Sequence, residues 1–413
     1  MSGLGAKPRI MPDRVGMSDR VGMSDGGGMP DRGHAATPEG PAAASHSRTR
    51  IEAGRVLGWD IGGANIKAAT SDGESTAIAF PLWKAPEKLP EELAAVASRC
   101  PPCATWAVTM TGEMADCFAS RAVGVRALAA AASQAAVALG VSRLLFYRVD
   151  GAFVPLGEVI ADPIGIASAN WHALANWVSR RIESPSLLID IGGTTTDLIP
   201  LTPMAGRGGV GVGHGVATQS RSDFDRLVAG ELVYLGGERT PVCALVDALP
   251  FGGAEVPVMR EVFATIDDCA LILGLSPEGE RGLPTCDGAP RTVGAATNRL
   301  ARMIGLDGDD WLGVTGRRES EARDAAGDAA RAVIAAAAGR LARAIGGQPP
   351  RFAGRWVVSG HSADYFLPGL REAFPDAIIE WLSDRVGREG SRVGPALACA
   401  ELMREFVSAT GAE

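Results

Sequence analysis

The stretch Val56 to Gly73, VLGWDIGGANIKAATSDG, returns in altered form at Ser186 to Leu201 as SLLIDIGGTTTDLIPL. Each copy has an apolar run, the tetrad DIGG, and a second, alternating run. The apolar run reads as a buried strand, the glycine pair as a turn, and the alternating run as the next strand. A glycine pair between two strands lets the backbone approach a ligand closely, because no Cβ intervenes and φ is unrestricted. Amides exposed in such a turn form a concave anion site, to which following Thr or Lys side chains add donors. An Asp at the carboxyl end of a buried strand is costly unless it meets a cation, a proton or a donor. Two such hairpins facing one another would hold phosphates between them, with Asp60 and Asp190 flanking a magnesium ion. A lone DIGG is equally well a β-turn; its return in the same strand-turn-strand setting favours a site.

Better-known phosphate loops are excluded. Neither copy has the GxxxxGK[ST] run leading into a helix, and a strand rather than a helix follows each glycine pair, which rules out a dinucleotide fingerprint. The glycine run Gly208 to Gly215 has no strand-turn-helix setting and reads as a loop.

Around the two hairpins the chain has α/β grammar. "TAIAF" follows the first as a third strand, "TWAVTM" is another, and helices are expected at Pro90 to Arg99 and Arg121 to Leu139. After the second hairpin come helix signals at Asp223 to Ala229, Met259 to Leu273, Arg291 to Ile304 and Asp328 to Ile345. Strands "RWVVSG" and "AIIEWL" and a helix "PALACAELMREFV" complete the pattern. The expected organisation is a first domain at 51–183 and a second at 184–413, the second carrying an inserted region at about 203–310. Residues 1–50 are different material. They repeat MPDRVG, MSDRVG, MSDGGG and MPDRG from Met11 to Gly33 without an apolar face or a signal-peptide core, and are expected to be disordered or to come from an over-called start.

Composition bounds the partners. The 413 residues are 46 % hydrophobic and 21 % charged, enough for two cores, and the net charge of -8 disfavours a nucleic-acid or anionic-membrane surface. Small-molecule substrates are the expectation, and a homo-oligomer is compatible with it. No apolar run approaches the roughly 20 residues of a membrane helix. Seven scattered cysteines point to a reducing, cytoplasmic setting, and Cys100-Pro-Pro-Cys103 reads as a loop with two incidental thiols, the alternative being a metal or redox pair.

The two DIGG hairpins resemble the phosphate motifs of the actin-like ATPase superfamily, which includes sugar kinases and hydantoinase/oxoprolinase proteins. That resemblance implies two ribonuclease-H-like domains flanking a cleft. WVVSGHSA, Trp356 to Ala363, is similar to its adenosine-site motif, and GPALACAEL, Gly394 to Leu402, to the small-residue helix that packs the domains together. The middle of the chain, Asp223 to Leu245 and Glu261 to Gly274, is similar to the hydantoinase/oxoprolinase branch. With CDGAPRT at Cys286 to Thr292, it looks most like the methanofuran-biosynthesis synthase family, whose methylotroph members are labelled tetrahydromethanopterin-linked C1-transfer pathway proteins. The family's ADGR pattern appears here only as Cys286-Asp287-Gly288-Ala289, so no role is carried over from it.

This resemblance implies a transferase that joins a phenol, γ-glutamyltyramine, to an aminomethylfuran-methyl diphosphate and releases pyrophosphate, using no ATP. Asp60, Lys67 and Asp190 are the catalytic candidates; Gly62, Gly63, Asn65, Gly192, Gly193, Thr194 and Thr195 the phosphate-binding ones. Asp60, Asp190 and Asp197 are the candidates for Mg2+, and Gly360, His361 and His214 for a substrate or nucleotide-like pocket. Ala64-Asn65 stands where many kinases have Thr or Ser, and His361 where many ATPases have glycine. Bland readings stand beside these: Lys67 as a solvated strand residue, Asp197 as a turn cap, and Trp171, His172 and Trp177 as packing. The rival functions are an ATP-dependent kinase or hydantoinase-like hydrolase, and a non-enzymatic nucleotide-binding actin-like protein.

Overall fold

The computed structural model describes residues 54–204, 215–279, 284–309, 311 and 319–410. The repetitive segment, most of the glycine-rich run and His214 lie outside the described residues.

Six strands form the first sheet: β1 (Val56–Ile61), β2 (Asn65–Thr70), β3 (Ser75–Ala79), β4 (Thr105–Met110), β5 (Arg143–Tyr147) and β6 (Phe153–Val154). Their order is β3-β2-β1-β4-β5-β6. β1 to β3 form an antiparallel meander, and β4 and β5 lie parallel to β1. The second sheet contains β7 (Ser186–Ile191), β8 (Thr196–Leu201) and β9 (Leu232–Val233). A separate hairpin, β10 (Ala248–Phe251) with β11 (Ala254–Pro257), precedes its last two strands, β12 (Arg355–Ser359) and β13 (Ile378–Trp381). Its order is β13-β12-β7-β8-β9, again an antiparallel meander with two parallel crossover strands. Read from β9, this repeats β3-β2-β1-β4-β5, the ribonuclease-H-like order, so the doubled motif marks a doubled fold.

Period-two alternation assigns the faces. Leu57, Trp59 and Ile61 enter one core with Trp106 and Val108, where the Trp59 and Trp106 rings stand 5.0 Å apart. Leu187, Ile189 and Ile191 enter another with Trp356, Val358 and the long helix Glu319–Gly346. The opposite faces of both sheets share a third core: Val56 and Ala107 on one side, Leu188, Ile199 and Val357 on the other. Helices Asn170–Ser179 and Gly394–Thr410 fill it. The described residues accordingly form one compact unit.

Gly58 explains the small residues of the helix Gly394–Thr410. A Cβ there would collide with the Ala396 carbonyl and come within 2.6 Å of the Ala400 amide nitrogen. Helix backbone thus rests directly on β1, one residue pair before Asp60.

Most expected elements form where the pattern places them. The stretch expected as a helix from Met259 to Leu273 is helical only over Ile266–Ile272, because Thr265 and Asp268 close a capping box that starts the helix there. The helix Glu319–Gly346 begins earlier than the expected Asp328. Among the described residues, no helix is long and apolar enough to cross a membrane.

Candidate functional site

The two hairpins are closed by the same hydrogen bond. Gly62 N–H donates to Asn65 O and Gly192 N–H to Thr195 O, each at 2.9 Å. Those two amides are therefore spent on the turn, and the donors available to an anion shift one residue on. The N–H groups of Gly63, Ala64, Gly193, Thr194 and Thr195 have no backbone acceptor among the described residues. Gly62 is glycine because its Cβ would press on Asn65 O at 2.9 Å, whereas a Cβ on Gly63 would meet only Gly112 Cα at 3.9 Å. Its missing side chain leaves the outer face open. Gly193 differs: a Cβ there would run into the Glu238 carboxylate.

Register places Lys67 opposite Asp60 and, at the matching position of the second hairpin, Asp197 opposite Asp190. Lys67 Nζ lies 3.5 Å from Asp60 Oδ2, while Asp60 Oδ1 is buried without a hydrogen-bond partner. Burial pushes the Asp60 carboxyl up, and Lys67 opposes that. Asp190 is pushed up to about 6, first by burial and then by Asp197, while the Ser359 hydroxyl donates to it. The hairpins face each other: the Asp197 charge acts on Asp60, and Lys67 acts on Asp190. Lys67 is thus no solvated strand residue.

Asp197 is an ion-pair partner rather than a turn cap. It binds the buried guanidinium of Arg226, which lies over the Trp171 ring at 4.5 Å and also reaches Asp223 at 3.5 Å. Asp223 pairs with Arg121 at 2.6 Å, and Arg121 with the fully buried Glu113 at 3.3 Å. Opposite charges alternate from Asp197 to Glu113 in the loop after β4, where the Thr111 and Gly112 amides bond to Ile61 at the start of the first hairpin. Burial lifts the Glu113 carboxyl above its ordinary range.

Among the described residues, no group of three or more His, Cys, Asp or Glu is arranged to hold a metal ion. Magnesium is commonly held by one or two carboxylates together with substrate phosphate oxygens. The unpartnered Asp60 Oδ1 and the neighbouring Asp190 fit that mode; Asp197, engaged by Arg226, does so less well.

Two cavities meet beside the hairpins. A smaller one of about 290 Å³ is lined by Asn65, Lys67, Glu238, Arg239, Cys286 and Arg291, among others. A wider groove of about 1110 Å³ runs past Gly360, Asp364, Trp381 and Arg388. His361, Asn65, Ala77, Arg291 and Arg392 line both. Gly360, at φ +88°, has no room for a Cβ against the Ile191 carbonyl, so the turn carrying His361 is locked onto the end of β7. His361 Nε2 lies 2.9 Å from Glu238 Oε1. Arg291 forms a two-pronged pair with Asp267 at 2.6 and 2.7 Å.

Glu238, Arg239, Arg291 and Arg392 escaped the reading of the sequence. Each sits outside the DIGG motifs, and only the packing of the LGGER segment on the second hairpin brings Glu238 in: its N–H donates to Gly193 O at 2.9 Å. The aromatic residues Trp171 and Trp177 are buried packing, and His172 is buried against the Tyr147 hydroxyl at 2.9 Å. Cys100 and Cys103 are free thiols, the latter pushed up to about 12 by burial, so neither is a ready nucleophile.

Comparison with known proteins agrees with the motifs. The hydantoinase/oxoprolinase family pattern matches residues 104–347. The chain is 28 % identical over 358 residues to a protein of Methanocaldococcus jannaschii, covering 85 % of this chain and 98 % of that one. That relative is named (4-{4-[2-(γ-L-glutamylamino)ethyl]phenoxymethyl}furan-2-yl)methanamine synthase. A protein of the same name from Methanococcus vannielii is 31 % identical over 133 residues, 32 % of this chain and 55 % of its own. Among solved structures, component A of (R)-2-hydroxyglutaryl-CoA dehydratase from Acidaminococcus fermentans matches at 11 % identity and TM-score 0.40, covering 86 % of this chain and 99 % of its own. A nucleotide-free acetone carboxylase matches at 11 % identity and TM-score 0.43, covering 84 % and 70 %. Both are similar in outline only; the fold rests on the strand orders.

Proposed function

We propose that this chain, which belongs to the hydantoinase/oxoprolinase family, is a synthase that condenses a phenol of the γ-glutamyltyramine type with an aminomethylfuran-methyl diphosphate. Pyrophosphate is released, and the product serves methanofuran or methylofuran biosynthesis in tetrahydromethanopterin-linked one-carbon metabolism. The observation that carries the reading is the pair of opposed hairpins, whose unbonded amides and Lys67 suit a diphosphate beside the cavity. The nearly full-length likeness to a synthase supplies the substrate class.

Displacement at a furylmethyl carbon builds negative charge on the departing diphosphate, and preorganised donors aimed at that charge lower the barrier. The amides of Gly63 and Ala64 and the Lys67 ammonium would act from one hairpin, and the amides of Gly193, Thr194 and Thr195 from the other. Asp60 and Asp190 would hold magnesium, which when bound supplies neutralisation of the diphosphate charge. Asp197 is fixed by Arg226, and Lys67 is held beside Asp60 on the facing hairpin. The His361–Glu238 bond occupies the turn that in the actin-like ATPases receives adenine, which favours the synthase over an ATP-dependent kinase or hydrolase.

The test is the reaction without ATP. Pyrophosphate is expected from γ-glutamyltyramine and the furan diphosphate alone, and Lys67→Ala should lower turnover by about 10²- to 10³-fold, the usual loss on removing one such donor. ADP formed in proportion to product would overturn the synthase and favour the kinase.

A further inference from the structure

A phenol that becomes an ether must lose its proton, and the hairpin acids are poorly placed to take it. Asp60 is buried against Lys67, and Asp190 is engaged by the Ser359 hydroxyl; neither lines the cavities. Five residues line both cavities, where two substrates would meet: Asn65, Ala77, Arg291, His361 and Arg392. Arginine stays protonated and asparagine and alanine accept no proton, so His361 is the one base among them.

Its surroundings select the form of the imidazole. A carboxylate is acceptor-only, so in the neutral ring the 2.9 Å contact with Glu238 Oε1 assigns the proton to Nε2 and the lone pair to Nδ1. Glu238 is itself fixed, through its own N–H to Gly193 O and by the space that Gly193 leaves for its carboxylate. The turn that carries the imidazole is locked onto β7 at Gly360. The charged groups facing His361 are Glu238, Asp190 from β7, Lys67 from β2, and Arg291, Arg392 and Asp364 along the cavity walls. A base oriented by a carboxylate, at the junction of a small and a large cavity, is the arrangement that general base catalysis requires.

We propose that His361, held by Glu238, takes the proton of the acceptor phenol on Nδ1, an assignment that rests on the synthase reading above. As the phenol oxygen bonds to the furylmethyl carbon, the bond from that carbon to the diphosphate oxygen breaks, and its electron pair leaves with pyrophosphate. The imidazolium then returns its proton to water. Nothing is oxidised or reduced, and no further reactant is consumed.

The experiment compares two acceptors, γ-glutamyltyramine and its ring-fluorinated analogue, whose more acidic hydroxyl is ionised in solution at the assay pH. With the first, His361→Asn is expected to lower kcat by about 10²- to 10⁴-fold, the usual worth of a positioned base, with KM for both substrates little changed. With the second, most of that loss should disappear, because the nucleophile arrives already deprotonated. Glu238→Gln, which keeps the bond partner but removes its charge, should show the same pattern with a smaller loss. Thermal melting and pyrophosphate binding by calorimetry, expected to be unchanged, report whether the variants are folded, and Glu238→Gln carries the test if His361→Asn is not. An equal loss with both phenols, or none with either, overturns the assignment while leaving the synthase standing. A wild-type enzyme that releases no pyrophosphate with either phenol overturns the synthase itself, and the assignment with it.

Discussion

Gly58 and Gly63 lie on one hairpin and answer to different demands. Gly58 is excluded from carrying a side chain by helix backbone, and Gly63 by nothing among the described residues. Gly58→Ala is therefore expected to cost about 3 kcal/mol, read by urea or thermal unfolding. Gly63→Ala should leave stability within about 0.5 kcal/mol and weaken pyrophosphate binding at least tenfold, read by calorimetry. An unchanged affinity would reduce the motif to a turn. Gly193 cannot serve as the matching test, because its substitution also displaces Glu238. Asp190 gives a second residue-level prediction. Its carboxyl sits at about 6, above the ordinary 3.8, so the folded chain holds this proton more tightly than the unfolded one. That contribution is complete below about pH 4 and is lost as pH rises through 6. In metal-free buffer, stability from this group should fall by about 2 kcal/mol between pH 4 and pH 7. Asp190→Asn should remove that part of the slope; identical pH profiles for the two proteins would contradict the assignment.

At the scale of elements, the short helix Asp223–Ala229 shows what sequence can and cannot announce. Its Ser222 and Asp225 capping box and its left-handed Gly230 end are written in the sequence, and its limits are met. Its purpose is not, because Arg226 meets Asp197 only once β8 and the helix have docked. Replacing Arg226 with Met leaves the Asp197 charge without its buried partner. A loss of about 3 to 5 kcal/mol in chemical denaturation is expected, with a loss below 1 kcal/mol counting against the pair. The same limit applies to Asn170–Ser179, in which every residue from Trp171 to Ser179 is buried. A helix enclosed on all sides lacks the polar stripe that periodicity detects, whereas the two hairpins were legible because turn chemistry and strand alternation are local.

At the scale of the whole molecule, duplication was legible and divergence was not. The repeated DIGG predicts two sheets of one order, and both form. The exchange of lysine for aspartate at matching positions of β2 and β8 is visible in the sequence, but its meaning depends on the hairpins facing each other across the cleft. Cavity walls contributed by Glu238, Arg291 and Arg392 could not be gathered from motifs, since they come from separate segments with no common spacing.

The contact between Gly58 and the Ala396–Ala400 turn joins positions about 340 residues apart in the chain. At a ribosomal pace of roughly 5–20 residues per second, β1 emerges roughly 20–70 s before the helix that covers it can exist. During that interval the surface of β1 at Gly58 has no final partner. The nascent chain must therefore be shielded there, by its own transient collapse or by a chaperone, until the helix Gly394–Thr410 has been made; the late arrival of one helix, rather than the forming of either sheet, closes the fold.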